Sequence, residues 1–243
     1  EDVVLWARDR ERNVKAQTSD KEGEDAQGAA VIVMEVQTGN ILACASYPTY
    51  NLATMYEDWD AIVEDPDNPF FNRAFGAEYP PGSTFKMCTL IAAMENRNSK
   101  GEIIHPYGTE IKDEGVYTKH PGFSPTCLAW TSGRYTHGVI DATLALCYSC
   151  NYFFYELGDL MDKDMPVETA KQLGLGVPTG IELVEKTGKL NTTEQKQKVY
   201  GTGVNANFSA GDRILGAIGQ GEYRFTPLQL CVYASTLANR GTR

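Results

Sequence analysis

The chain has 243 residues, 42% of them hydrophobic and 22% charged, enough for one large or two modest domains with a true core and too apolar for a disordered tract. Its formal net charge of −10 argues against a nucleic-acid or anionic-membrane surface, which needs clustered positive charge, and favours a small-molecule or neutral-polymer substrate. No apolar run approaches the roughly 20 residues of a transmembrane helix, Glu1-Asp2-Val3 carries no signal-peptide pattern, and six cysteines in so long a chain do not make a disulfide scaffold.

Taken in order, residues 1–28 predict a helix and a polar linker: apolar Val3 to Trp6 are followed by mixed charges up to Gly28. Ala29 to Val36 and Ile41 to Tyr47 predict two strands joined by Gln37-Thr38-Gly39-Asn40, a hairpin turn in which Gly39 and Asn40 can take positive φ. Both strands are nearly all apolar, so both faces of the sheet are expected to be covered. Pro48 to Pro80 reads as an irregular connection over the surface.

Two prolines and a glycine then stop the chain at Pro80-Pro81-Gly82, and the composition turns helical, so Ser83 is expected to open a helix ending near Asn96 to Gly101. Residues three apart share a helix face, which predicts the Lys86 amine within reach of the Ser83 hydroxyl. A serine is a weak nucleophile, and a lysine can serve it as base only if burial or positive potential keeps the amine neutral. The helix N-terminus supplies such potential and suits a developing oxyanion. The bland alternative is a helix start with a solvated lysine.

Gly101 to Gly133 is turn-rich, with a short hairpin expected around Ile111 to Thr118. Helices are predicted from about Ile140 to Cys147 and from Tyr152 to about Asp162, separated by Ser149-Cys150-Asn151. Alternate residues of such a turn face one way, so Ser149 and Asn151 are expected to address one site while Cys150 points behind. Alone, the two would read as helix caps. Gly174 to Leu183 reads as a loop, and Thr226-Pro227-Leu228-Gln229 should start a helix within Ile214 to Ala238.

Cys44, Cys88 and Cys231 are read as buried small hydrophobes. Cys147 and Cys150 form a C-x-x-C, with His137 and Cys127 upstream, and thiolates with an imidazole suit zinc. Two readings stay open: buried cysteines with a backbone-bonded histidine, or a structural zinc on Cys147, Cys150 and His137 with Cys127 or Asp113 as fourth ligand. His105 and His120 are expected to be solvated.

Ser83-Thr84-Phe85-Lys86 and Ser149-Cys150-Asn151 match the S-x-x-K and S-x-N motifs of serine β-lactamases and penicillin-binding proteins. Asn72-Arg73-Ala74, Pro80-Pro81-Gly82, Thr179-Gly180-Ile181-Glu182-Leu183 and Ile218-Gly219-Gln220-Gly221 follow in the order of one family. Over residues 29–243 the sequence resembles the transpeptidase domain of class B penicillin-binding proteins. Lys186-Thr187-Gly188 spells the third motif out of place, among loop-like residues, so the chain reads as a domain truncated before its true K-T-G.

The resemblance implies an α/β fold, with a central antiparallel sheet, incomplete here, flanking helices, and a mainly helical subdomain carrying both motifs. It implies a D,D-transpeptidase that crosslinks peptidoglycan stem peptides through an acyl-enzyme on Ser83, with Lys86 as base, Ser149 as proton relay and Asn151 as substrate clamp. β-Lactams would acylate the same serine, and no cofactor would be required for catalysis. Division, elongation or sporulation proteins would be partners, with no nucleic acid. The setting would be the extracytoplasmic face of the bacterial membrane, with an N-terminal anchor in the parent. A β-lactam-sensing receptor domain and a serine β-lactamase are the alternatives.

Overall fold

The computed structural model describes residues 28–243, so the predicted N-terminal helix and linker of residues 1–28 lie outside the described residues except for Gly28. The chain forms two compact units, each built from separate stretches of sequence. Within them, helix and antiparallel strand are mixed, as the resemblance implies.

The first unit takes in residues up to Glu78, Pro178–Lys186 and Thr226–Arg243. Strands β1 (Ala29–Met34) and β2 (Ile41–Tyr47) pair antiparallel, with Ile32 opposite Cys44 and a register break between Val33 and Met34. Gly39, at φ 74°, makes the reversal, and its N–H reaches Glu35 O at 2.9 Å, whereas Asn40 keeps negative φ. The expectation of two covered faces fails: Val31 and Val33 are 45% and 47% exposed, and Ile41, Leu42 and Cys44 are exposed as well. β1 alternates between half-buried and exposed positions, the pattern of a sheet covered on one side. Cys44 is therefore not a core residue, and Cys231 is only half-buried.

The surface connection holds an unpredicted helix, α1 (Trp59–Glu64), with no buried residue. It stands among half-exposed aromatics, with Phe70 edge-on to Tyr50 at 4.7 Å and tilted against Trp59 at 5.2 Å.

The second unit, Tyr79–Val177 with Thr187–Phe225, carries both motifs. Gly82–Phe85 is a 3-10 turn leading into α2 (Lys86–Glu95), so the α-helix proper opens at Lys86 and Ser83 sits in the tighter turn before it. β3 (Ile111–Asp113) pairs with β4 (Gly138–Ile140), not with the residues up to Thr118, and α3 (Leu128–Gly133) lies between them in sequence. Then come α4 (Ala142–Cys147), α5 (Asn151–Leu160), α6 (Asp164–Gln172), α7 (Thr193–Tyr200) and α8 (Ala210–Gly216), of which α6 to α8 are not predicted from sequence. In the first unit, α9 (Pro227–Ala238) starts as expected, with Thr226 and Gln229 closing a reciprocal capping box.

The core of the second unit gathers Leu90, Ala92 and Ala93 of α2, Phe153, Phe154 and Leu157 of α5, and Ile214 of α8. Gly158 lets α5 and α8 meet closely, since a Cβ there would stand 2.7 Å from Ala217 Cβ and 2.8 Å from Arg213 O. Of the two loop histidines expected to be solvated, His105 is buried and His120 is partly exposed but paired. His105 is 2% exposed, edge-on to Phe153 at 5.2 Å, and His120 Nε2 meets Asp159 at 2.9 Å. Asp159 also accepts from Tyr117 and Arg213, which ties the 114–126 loop to α5 and α8.

Candidate active site

The approach to Ser83 is fixed from beneath and behind. Phe85, fully buried, packs on Tyr223 at 4.3 Å and on Phe225 at 6.2 Å, while Thr89 Oγ1 donates to Ala217 O at 2.8 Å. Gly82 N–H donates to Gly219 O at 3.1 Å, and Gly219 itself, at φ 74°, leaves no room for a side chain: a Cβ would lie 2.1 Å from Gly82 O. Gly219 is thus required both by its conformation and by backbone contact with the nucleophile turn. The Ser83 side chain lies at the surface and is exposed.

Lys86 is the opposite, a lysine only 1% exposed. Its Nζ donates to Ser149 O at 2.8 Å, Ser149 Oγ at 3.0 Å and Asn151 Oδ1 at 2.6 Å, and stands 5.4 Å from the centre of the Phe154 ring. Burial pulls its pKa down to about 8, against the opposing pull of Cys150 and Cys127, whose negative charge would hold the proton on. Spacing at i, i+3 predicts a Ser83–Lys86 pair. The amine instead makes its hydrogen bonds across the chain to 149 and 151, and none joins it to Ser83 Oγ. Lysine is long enough to prefer three fixed acceptors over one exposed hydroxyl.

The turn that supplies those acceptors is built by a helix ending. Cys150 N–H bonds Ala145 O at 2.9 Å and Ser149 N–H bonds Leu146 O at 3.1 Å, the two bonds of a Schellman motif, with Ser149 left-handed at φ 50°. Glycine is the usual residue there, and a serine costs about 1 kcal/mol in that conformation. Ser149→Gly should therefore raise the melting temperature by about 2–4 °C, while acylation at Ser83 falls by roughly 10²-fold for want of the hydroxyl. Calorimetry and a labelling time course on the same sample check both halves; a loss of stability would contradict the strain.

Cys150 caps α5 and points away from Lys86's acceptors into a second cluster. Asp113, Cys127, His137 and Cys150 bring one ligand atom each to within 4.8 Å of one another. Cys127 Sγ stands 3.7 Å from His137 Nδ1 and 3.9 Å from Cys150 Sγ, while Asp113 Oδ2 is 3.6 Å from Cys150 Sγ and 2.8 Å from His137 Nδ1. Burial would raise the Asp113 carboxyl, but N–H bonds from His137 and Gly115 outweigh it and hold the group below its ordinary value. Hydrogen bonding from the Cys150 thiol brings Cys127 down to about 5, and the same pairing with burial pushes Cys150 up.

Cys147 is not part of this cluster. It ends α4 exposed, and the left-handed Ser149 turns the chain so that Cys147 and Cys150 face different ways. Both residues proposed as alternatives for the fourth position, Cys127 and Asp113, occupy it together. Lys186, Thr187 and Gly188 lie in irregular chain rather than on a strand. Sequence reasoning missed Phe154 under Lys86 and the steric role of Gly219; only the paired glycines Gly219 and Gly221 signalled a tight turn.

Residues 29–243 match the family described as the penicillin binding protein transpeptidase domain. The chain is 33% identical over 219 residues to the peptidoglycan D,D-transpeptidase MrdA of Escherichia coli strain K12, covering 88% of this chain and 32% of that protein. It is 31% identical over 219 residues to the MrdA of Acinetobacter baumannii, again 88% of this chain and 31% of the relative. Its fold is similar to that of PBP2 from Helicobacter pylori in complex with MreC, with TM-score 0.75 and 27% identity over 87% of this chain and 38% of that one. The chain thus spans about a third of the length of the curated relatives it matches.

Proposed function

We propose, from the premise that this chain belongs to the penicillin-binding protein transpeptidase family, that it carries the acylation machinery of a peptidoglycan D,D-transpeptidase. One observation carries the reading: a buried lysine amine, lowered to about 8, is gripped by Ser149 and Asn151 one helical turn from an exposed serine.

In this reading Ser83 Oγ attacks the carbonyl carbon between the last two D-alanines of a stem peptide, and its proton passes to neutral Lys86 Nζ. The carbonyl oxygen gains the negative charge at the N-terminus of the Ser83 turn, where backbone N–H groups stabilise it. Collapse breaks the C–N bond. Ser149 Oγ gives its proton to the leaving nitrogen and takes one from Lys86 Nζ, 3.0 Å away, so D-alanine departs neutral at that nitrogen. An amine of a neighbouring strand then attacks the ester carbon and breaks its bond to Ser83 Oγ; the proton the amine loses passes through Lys86 Nζ to the serine oxygen. Asn151, bound to Lys86 through Oδ1, has two amide N–H donors, one beside the Tyr155 hydroxyl and one for the substrate's backbone carbonyl.

A β-lactam presents the same carbonyl and acylates Ser83. The full-length protein should transfer a D-Ala-D-Ala donor to an acceptor amine, with D-alanine released in step. Acylation without transfer would favour a sensor, and rapid penicillin hydrolysis a β-lactamase.

The Asp113, Cys127, His137, Cys150 group fits a structural zinc. Two sulfurs each about 2.3 Å from a tetrahedral ion stand about 3.8 Å apart, and Cys127 and Cys150 are 3.9 Å apart already. Zinc there would cross-brace the 113, 127 and 137 loops to the residue between Ser149 and Asn151, taking no part in the acyl transfer. Metal analysis should find about one zinc per chain in the untreated protein and a near-complete loss in Cys150→Ser; equal, trace contents in both would remove the site.

A peptidoglycan substrate would put the domain on the extracytoplasmic side of the membrane. Among the described residues no helix is long and apolar enough to cross it. Partners would be proteins of a peptidoglycan synthase complex, such as the one a solved relative of similar fold belongs to, or a counterpart of the MreC bound by the Helicobacter protein.

A further inference from the structure

Asn151 can serve Lys86 only one way round. An asparagine side chain has an oxygen end and an N–H end of nearly equal shape, and here Oδ1 is the end that accepts from Lys86 Nζ, at 2.6 Å. While the lysine is an ammonium, that orientation maintains itself, because Nζ offers only protons. Once the amine is neutral, as a base must be, Nζ carries a lone pair, and an amide turned over would donate an N–H to it. The base would then be masked by its own neighbour.

Tyr155 stands where it prevents this. Residues four apart share a helix face, and Tyr155, buried, follows Asn151 by four positions on α5. A phenol has one proton, and Tyr155 Oη commits it to Thr126 O at 3.2 Å, an acceptor with no proton to return. The hydroxyl therefore shows Asn151 a lone pair. The Asn151 side chain lies beside that hydroxyl and favours its charged form, the effect of an N–H donor. Thr126 is held in turn by its antiparallel bridge to Val116, next to which Tyr117 N–H bonds Pro125 O at 2.9 Å.

We propose that Tyr155 is a positioning residue for acylation: it accepts one Asn151 N–H, holds Oδ1 toward Lys86, and so leaves the lone pair of the neutral amine open to the Ser83 proton. The role rests on the transpeptidase reading of Ser83 and Lys86. Tyr155 acts through Asn151 and meets no reacting atom itself.

A double-mutant cycle in the full-length protein tests this, read as the rate of Ser83 acylation by penicillin at a temperature where every variant is folded. Tyr155→Phe keeps the ring and should slow acylation about tenfold, the weight of one hydrogen bond. Tyr152→Phe, which removes the hydroxyl of the other α5 tyrosine, should leave the rate unchanged. Asn151→Asp has two equivalent oxygens and no end to choose, so adding Tyr155→Phe to it should change its rate by less than about twofold. A tenfold loss in both backgrounds would make Tyr155 a packing residue and overturn the proposal, as would a Tyr155→Phe rate equal to wild type. These two results leave the transpeptidase reading standing, whereas a wild-type protein that gains no acyl group on Ser83 would overturn that reading and this role with it.

Discussion

Lys86→Met in the full-length protein should slow acylation of Ser83 by a β-lactam about 10³-fold, the middle of the range for losing a positioned general base. Methionine keeps the volume and burial but removes the amine that Ser149 Oγ and Asn151 Oδ1 hold between them. The pH profile separates this role from simple packing. Because burial lowers the amine to about 8, its neutral form grows about tenfold per pH unit below that value and saturates above it. The wild-type acylation rate should therefore climb with pH and level off near 8, whereas the Met variant should lose that limb. Lys86→Arg, which keeps the charge but cannot deprotonate, should resemble Met rather than wild type. A wild-type rate flat between pH 6 and 9 would remove Lys86 as base.

The second large effect comes from a residue with no chemistry of its own. Gly219→Ala would bring a methyl to 2.1 Å from Gly82 O at a left-handed φ of 74°, with Phe85 Cβ at 2.8 Å on the other side. Backbone strain of 1–2 kcal/mol and overpacking of 1–3 kcal/mol together suggest a loss of about 3 kcal/mol, and hence a melting temperature lower by about 6–12 °C. The shift falls on the turn that carries Ser83, so acylation should drop even at temperatures where the variant is folded. Gly122→Ala, at similar φ but in open space, should cost only the strain. Equal effects at the two positions would mean that the close approach to Gly82 is immaterial.

What the sequence announced, it announced through local rules. Thr226-Pro227-Leu228-Gln229 encodes its own capping box, and Gly39 its own reversal. Alternation about Cys150 sufficed to separate Ser149 and Asn151 from the buried sulfur. Two missed helices had comparable signals: Thr192 caps onto Gln195 N–H, and Ser209 forms a capping box with Asp212, but polar stretches such as Thr193–Tyr200 lack apolar periodicity. Other features depend on residues far apart in the chain. Lys86 chooses acceptors 63 and 65 residues away, β3 pairs with β4 across α3, and His105 is buried by Phe153. No i, i+3 rule contains such contacts. Cys147 shows the limit of spacing from the other side, because C-x-x-C across a Schellman turn sends its two sulfurs apart.

A single covalent bond, between Ser83 Oγ and an acyl carbon, defines the proposed chemistry. Incubating the full-length protein with penicillin and mapping the adduct by peptide mass spectrometry should place one intact penicilloyl group on Ser83 and none on Ser83→Ala. An unmodified Ser83 peptide from well-folded protein, or an adduct on another residue, would contradict it.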